Sequence, residues 1–278
     1  MFGFGYTGII SSMKKLPSGG GSLLLDTYTG AKVAFSVRKL RNAYSGACLR
    51  VRRSSDNAEL DINFLAGNLD TSALTTFVGA NDGFVTTWYD QSGNSNDATQ
   101  STGSLQHYIV VAGVLQTSGA YPVLYKTNDA RRYYLTNHFN LPNEFTFINA
   151  YNRFQSSEFS FLSGSNDYNV PFLHYSDHTR YIANSTTFFN FGTNSVLTAK
   201  IASTYRKSST ASGGFLNGVS FGAEQNIPIT STSLINQVLA RQTNTTSSKT
   251  HEVILWDTDR NTDLTAITLD LNTYYGIY

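Results

Sequence analysis

Three groups of residues in this 278-residue chain are of types that carry chemistry. His174 and His178 stand four apart, a spacing that on a helix would put two imidazoles on one face for zinc. Tyr175, Tyr181 and Ile182 around them give the segment the composition of strand, turn, strand, and in a hairpin that spacing loses its meaning. Asp90, Ser92, Asn94, Asn96 and Asp97 offer oxygens to a hard cation such as calcium, with Asp90, Asn94 and Asp97 as candidate ligands, but the full calcium-loop pattern is missing. Short polar side chains closing a turn on their own backbone are the preferred account of that loop. The acidic residues of the second half, Glu144, Glu158, Asp167, Asp177, Glu224 and Glu252, are scattered among turn signals and strand ends. No pair of them can be nominated for acid, base or nucleophile, and Ser92 lacks both a nucleophile elbow and a recognisable histidine partner.

Arg38, Lys39, Arg41, Arg50, Arg52 and Arg53 form a basic concentration, for which Asp56, Glu59 and Asp61 supply partners across a hairpin. With 14% charged residues and a formal net charge of +1, the chain has no field that would recruit nucleic acid or an anionic membrane. No apolar run approaches the roughly 20 residues that span a bilayer, and the order of apolar and basic residues at the start is wrong for a signal peptide. The single cysteine, Cys48, cannot form an internal disulfide, so packing or assembly must hold the fold. No cofactor is expected beyond the calcium candidates.

The elements that must position these residues are short strands separated by turn signals. Ala47 to Arg53 and Glu59 to Phe64 flank Ser54–Asn57 as a hairpin tip, Phe84 to Tyr89 and Phe145 to Ala150 have strand composition, and Asn217-Gly218 is a strong hairpin signal. His251 to Asp257 reads as a final core strand. Asp70 to Gly79 starts with capping residues and stops at glycine, which predicts a short helix. Asn261 to Tyr275 places Leu264, Ile267, Leu271 and Tyr274 at helical spacing before Gly276. Residues 1–22, rich in Phe2, Phe4, Tyr6, Ile9 and Ile10 and ending in a Gly-Ser joint, read as an anchoring arm ahead of one sandwich over residues 23–278.

Two stretches carry a resemblance. Leu49-Arg-Val-Arg-Arg-Ser-Ser-Asp56 and Tyr89-Asp-Gln-Ser-Gly-Asn94, within Val33 to about Gln100, resemble the amino-terminal part of the catalytic domain of the fungal α-L-arabinofuranosidase B family, a β-sandwich glycoside hydrolase. That family's glutamate beside a disulfide has no recognisable counterpart here. Phe145 to Ala150, Leu216-Asn-Gly218, Glu252 to Trp256 and the closing helix resemble laminin G or concanavalin A-like jelly rolls, and with Ala34 to Leu40 the combination resembles structural, tail or spike proteins of bacteriophages.

The resemblance implies an all-β, concanavalin A-like jelly-roll sandwich with a short internal helix and a C-terminal helix, preceded by an extended N-terminal arm. Its implied function is a virion structural protein of spike, fibre or decoration type. Such a protein would be made in the host cytoplasm, displayed on the particle surface as a homo-oligomer, docked to other virion proteins by the arm, and bound to host-surface glycan. Tyr168, Tyr175, Asp177, His178 and Tyr181 are the expected lectin-like contacts. The alternatives are a glycoside hydrolase acting on host surface polysaccharide and a purely architectural capsid protein.

Overall fold

A computed structural model of the chain describes residues 21–127, 130–153, 159–164, 172–175, 178–182, 188–193, 199–207, 211–220, 223–226, 234–239 and 247–278. The expected anchor residues Phe2, Phe4, Tyr6, Ile9 and Ile10 lie outside them.

The described residues form an all-β sandwich with an internal helix and a closing one, as the rhythm of short strands predicts. In one layer, Phe145–Arg153 and Ser248–Trp256 run antiparallel over nearly their whole lengths, with Ile148 opposite Ile254. Ala199–Arg206 covers the other edge of Phe145–Arg153 and pairs in turn with Ala211–Leu216. The far edge of Ser248–Trp256 is shared: Ala31–Ser36 takes Glu252 to Trp256, and Leu124–Lys126 takes Ser248 to Thr250. Almost every residue of Ser248–Trp256 is buried, as a central strand covered on both faces requires.

In the other layer Leu49–Arg53 lies between Glu59–Ile62 and Gly83–Trp88. Gly83–Trp88 continues to His107–Val111 and, through Ala98–Thr99, to Tyr133–Asn140. From there pairing passes through Leu234–Val238 and Phe159–Ser163 to the hairpin Phe172–Tyr175 and His178–Ile182. Tyr125, opposite both Tyr108 and Lys249, forms a corner between the layers. Their inner faces meet at Phe35 and Trp88, whose rings lie 5.5 Å apart, and both residues are fully buried with Leu49, Ile254 and Trp256. Each such side chain contributes roughly 1.5–3 kcal/mol by leaving water.

The local signals are realised in detail. Asp70 caps the helix Thr71–Val78 by accepting from the Ala73 N–H at 2.9 Å, and Gly79 at φ +61° ends it. Asn217 and Gly218, at φ +50° and +78°, form the two-residue loop that sets Leu216 opposite Val219. The closing helix Leu264–Tyr275 buries Leu264, Ile267, Leu271 and Tyr274 and ends on Gly276 in the left-handed conformation. Cys48 is buried, and burial raises its thiol pKa well above the ordinary range.

One buried ion pair ties this helix to the strands. Glu252 is fully buried; its Oε2 accepts from Arg38 Nε at 2.9 Å, Ser36 Oγ at 2.8 Å and Tyr275 Oη at 2.9 Å, and its Oε1 from Arg38 Nη2 at 3.2 Å. Arg38 also reaches Asp270 on the helix at 2.6 Å and lies over the Tyr274 ring at 4.9 Å. Burial alone would lower the guanidinium pKa, but Glu252 and Asp270 reverse this and leave it well above its ordinary value. Removing one partner strands the other charge in the core. Glu252→Ala is therefore expected to lower unfolding free energy by about 3–5 kcal/mol, measured by urea denaturation, while Asp270→Asn at the exposed end lowers it by under about 1 kcal/mol.

Candidate functional site

The segment Asp90 to Asn94 is a clasp on the strand Ala31–Ser36 and the chain that follows it. Asp90 Oδ1 accepts from the Ala34 N–H at 2.8 Å and the Ser92 N–H at 2.9 Å, while Oδ2 accepts from Ser92 Oγ at 2.6 Å and the Asn96 N–H at 3.0 Å. Gln91, fully buried, accepts from the Leu40 N–H at 2.8 Å and donates to the Ser36 and Arg38 carbonyls. Asn94 Nδ2 donates to the carbonyls of Ala31 and Lys32, and Asp97 Oδ1 accepts from the Asp90 N–H. Burial is the leading cause of a raised Asp97 pKa. Both Asp90 oxygens and Asp97 Oδ1 thus face N–H and O–H donors, and among the described residues no group of three acidic, His or Cys side chains is placed to hold a metal ion.

On the outer face of the second layer a cleft of about 750 Å³ is lined by Arg50, Arg52, Glu59, Thr86, Thr87 and Tyr134, with Thr99, Gln100 and Gln106 among its other walls. The alternation of Leu49–Arg53 turns Leu49 and Val51 inward and leaves Arg50 and Arg52 outside. Across from them the register steps from Thr87 opposite Arg50 to Val85 opposite Val51, leaving Thr86 as a bulge. A bulge re-aims side chains, and both Thr86 and Thr87 line the cleft. Arg52 stacks over Phe84 at 4.6 Å, and donates from Nε to Gln106 Oε1 at 2.8 Å and from Nη1 to Asn57 Oδ1 at 2.7 Å. Arg50 Nε lies 3.7 Å from Glu59 Oε2 and 3.1 Å from Asp61 Oδ1. Tyr89 Oη donates to Asp61 at 2.8 Å, and burial, aided by that carboxylate, pushes its pKa up to about 12.

The acidic partners read from the sequence for the basic concentration are in place, since Asp56 also pairs with Arg53 at 2.6 Å. That hydrogen bond is the main cause of an Asp56 pKa lowered to about 2. Thr87, Thr99, Gln100, Gln106 and Tyr134 carried no such signal, because a bulge and a chain reversal bring them together. Tyr175 and His178 face each other across a strand pair, so the four-residue spacing of His174 and His178 is that of a hairpin and not of a helix. Tyr181 lies on the same second strand, whereas Tyr168 and Asp177 fall outside the described residues. Glu252 is spent on Arg38, and Glu224 bonds Tyr205 and Lys207. Among the described residues no second carboxyl faces Glu59 across the cleft.

Each layer holds a buried histidine, His107 in the second and His251 in the first. His107 stacks on Tyr133 with ring centroids 4.7 Å apart and, among the described residues, has no hydrogen-bond partner at either ring nitrogen; burial, then Lys126 and Arg131, holds its pKa well below the ordinary range. Burial likewise lowers the His251 pKa to about 3.

With this geometry in view, the family model described as the catalytic part of α-L-arabinofuranosidase B matches residues 26–140. The fold resembles a crystal structure of an arabinofuranosidase complexed with arabinofuranosyl-α-1,2-xylobiose, with a TM-score of 0.65 and 15% identity. It also resembles a GH54 α-L-arabinofuranosidase soaked with a cyclic sulfate inhibitor, with a TM-score of 0.63 and 16% identity. In each case 91% of this chain is covered, and the chain spans 64% of the solved chain's length. No curated protein matches the chain.

These findings correct the expectation of a phage virion protein displaying a lectin-like jelly roll for host attachment. The family match over residues 26–140 is to the catalytic part of a glycoside hydrolase, which the alternative reading fits better, and the solved structures share the fold. The strands and closing helix that prompted the virion reading are sandwich scaffolding, which one architecture lends to many functions.

Two outcomes follow from the clasp and the histidines. Asp90→Asn removes a charged acceptor from backbone donors and is expected to cost about 1.5–3 kcal/mol, and millimolar calcium leaves the wild-type melting temperature unchanged in a thermal scan. As pH falls below 6.5 the unfolded chain binds protons that folded His107 and His251 refuse, so stability drops from pH 6.5 down towards 3. His107→Phe keeps the ring stack and is expected to hold stability at pH 7 to within about 1.5 kcal/mol. Its urea midpoint should fall less steeply than the wild-type's between pH 6.5 and 4.5.

Proposed function

We propose that this chain is a glycoside hydrolase that removes arabinofuranosyl groups from a substituted polysaccharide. The observation that carries the reading is the match of residues 26–140 to the arabinofuranosidase B catalytic family, supported by a fold likeness covering 91% of the chain. The sugar comes from the solved relatives, one complexed with arabinofuranosyl-α-1,2-xylobiose and another soaked with 4-nitrophenyl α-L-arabinofuranoside.

Hydrolysis of a glycoside needs two carboxyls flanking the bond. They stand about 5–5.5 Å apart when one is the nucleophile and about 6.5–9.5 Å apart when a water attacks instead. Most acidic side chains described above already serve a cap, a clasp or an ion pair. Glu144 and Asp257 are exposed and lie next to the paired strands Phe145–Arg153 and Ser248–Trp256, while Asp129, Glu158, Asp167 and Asp177 lie outside the described residues. The catalytic pair is to be sought among these six. One carboxyl would protonate the leaving oxygen, and the other would attack the anomeric carbon or activate the water.

Purified protein is expected to release 4-nitrophenol from 4-nitrophenyl α-L-arabinofuranoside and arabinose from arabinoxylan. Among single amide variants of the six, two should lower kcat by about 10²–10⁴-fold with melting temperature retained. A folded wild-type protein that releases neither product would overturn the reading.

A further inference from the structure

We propose that the cleft over Leu49–Arg53 and Gly83–Trp88 is a main-chain subsite, binding a run of neutral sugar residues of the polysaccharide that the proposed hydrolase acts on. The inference rests on that reading for its ligand and on the cleft for its chemistry.

The two guanidiniums of the cleft, Arg50 and Arg52, are balanced by two carboxylates, Glu59 in its lining and Asp61 beside it. Arg50 faces Glu59 and Asp61, and Arg52 is held by the neutral side-chain oxygens of Gln106 and Asn57. A polyanion would meet Glu59 as well as the guanidiniums, whereas a hydroxyl-rich neutral chain can donate to the carboxylate and accept from the N–H groups at once. Arg50 approaches Glu59 and Asp61 through Nε, and among the described residues neither of its Nη groups donates a hydrogen bond. Those donors remain for a ligand. Thr87 adds a hydroxyl to the same wall, while Thr86 beside it is buried and donates from Oγ1 to the Arg50 carbonyl.

The cleft is also prepared in shape. Arg52 is fixed between the Phe84 ring and two acceptors, so little side-chain freedom is lost when something binds over it. At Gly103 an added Cβ would sit 3.3 Å from Arg52 Nη2, so the glycine keeps that end of the wall clear of the guanidinium. Tyr134 is 38% exposed, and its ring supplies the apolar platform on which a sugar ring stacks while its edges hydrogen-bond. A volume near 750 Å³ falls within the range of ligand sites and accommodates more than a single monosaccharide.

The test is affinity electrophoresis of the full chain in gels holding soluble arabinoxylan, with polygalacturonate as the anionic comparison. The wild type is expected to be retarded by arabinoxylan and not by polygalacturonate. Tyr134→Ala and Arg50→Gln should each weaken that retention about 5–10-fold, with melting temperatures close to wild type. Should Arg50→Gln fail to fold, Thr87→Val takes its place in the comparison. Retention of these variants equal to wild type, retardation by polygalacturonate alone, or no retardation of the wild type would overturn the subsite. The readout is binding without turnover, so its failure is separate from that of the hydrolase reading. Protein that is retarded but releases no nitrophenol removes the hydrolase and keeps the cleft, and protein that cleaves with variants bound as wild type does the reverse.

Discussion

The buried pair of Arg38 and Glu252 is the constraint around which the rest of the sandwich is arranged. Two ions held this far from water are tolerated only if nearly every lone pair and N–H finds a partner. Glu252 meets that demand with Arg38, Ser36 and Tyr275, which come from the end of one strand, the chain just beyond it and the closing helix. Satisfying one carboxylate therefore fixes three separate parts of the chain relative to the central strand Ser248–Trp256. The aromatic pair Tyr274 and Tyr275 shares the work, since both rings lie within 6 Å of the Arg38 guanidinium and pack edge to face on each other. A neutral core of the same volume could be as stable, but breaking this pair by removing one partner leaves a charge stranded in the core.

The clasp at Asp90 to Asn94 solves the matching problem for the backbone. Beyond Ser36 the chain leaves the regular ladder while staying buried, and its carbonyls and N–H groups need partners that strand pairing no longer supplies. Gln91 provides three of them at Ser36, Arg38 and Leu40, so the residue that carries the buried cation is held by its main chain as well as by its side chain. The ion pair and the clasp meet at Arg38. With the interior tied in this way, the outward face of Leu49–Arg53 is free to carry guanidiniums and carboxylates that contribute little to stability, and the cleft is built on that face.

Much of this was legible in the residues where the determinant is local. The Asp70 cap, the Gly79 stop, the Asn217-Gly218 loop and the helical spacing of Leu264, Ile267, Leu271 and Tyr274 each act within a few positions, and each appears as written. The buried role of Glu252 was not legible, because its partner lies 214 residues away and a carboxylate in a strand reads as exposed. The cleft was half legible. Period-two alternation turns Arg50 and Arg52 outward, but the bulge at Thr86 breaks the same rule on the neighbouring strand, and nothing in Val85-Thr-Thr-Trp88 marks which residue is the extra one. The virion reading failed for a different reason: it attached a source to strands and a helix whose pattern is set by packing.

The same distinction decides what the family likeness can carry. The matched stretch, residues 26–140, contains the clasp and the strands it holds, and the polar residues Asp90, Gln91 and Asn94 that make the motif recognisable are consumed by backbone hydrogen bonds. Substituting any of them leaves a buried N–H or carbonyl without a partner, so their first role is to hold the fold. The fold likeness reports that the sandwich is folded in the same way. It does not report on catalytic carboxyls, which lie under no such packing constraint and can be lost without disturbing the fold. The chemistry must therefore be decided at the acidic residues outside that clasp, where a single carboxyl separates an enzyme from a sandwich of the same shape.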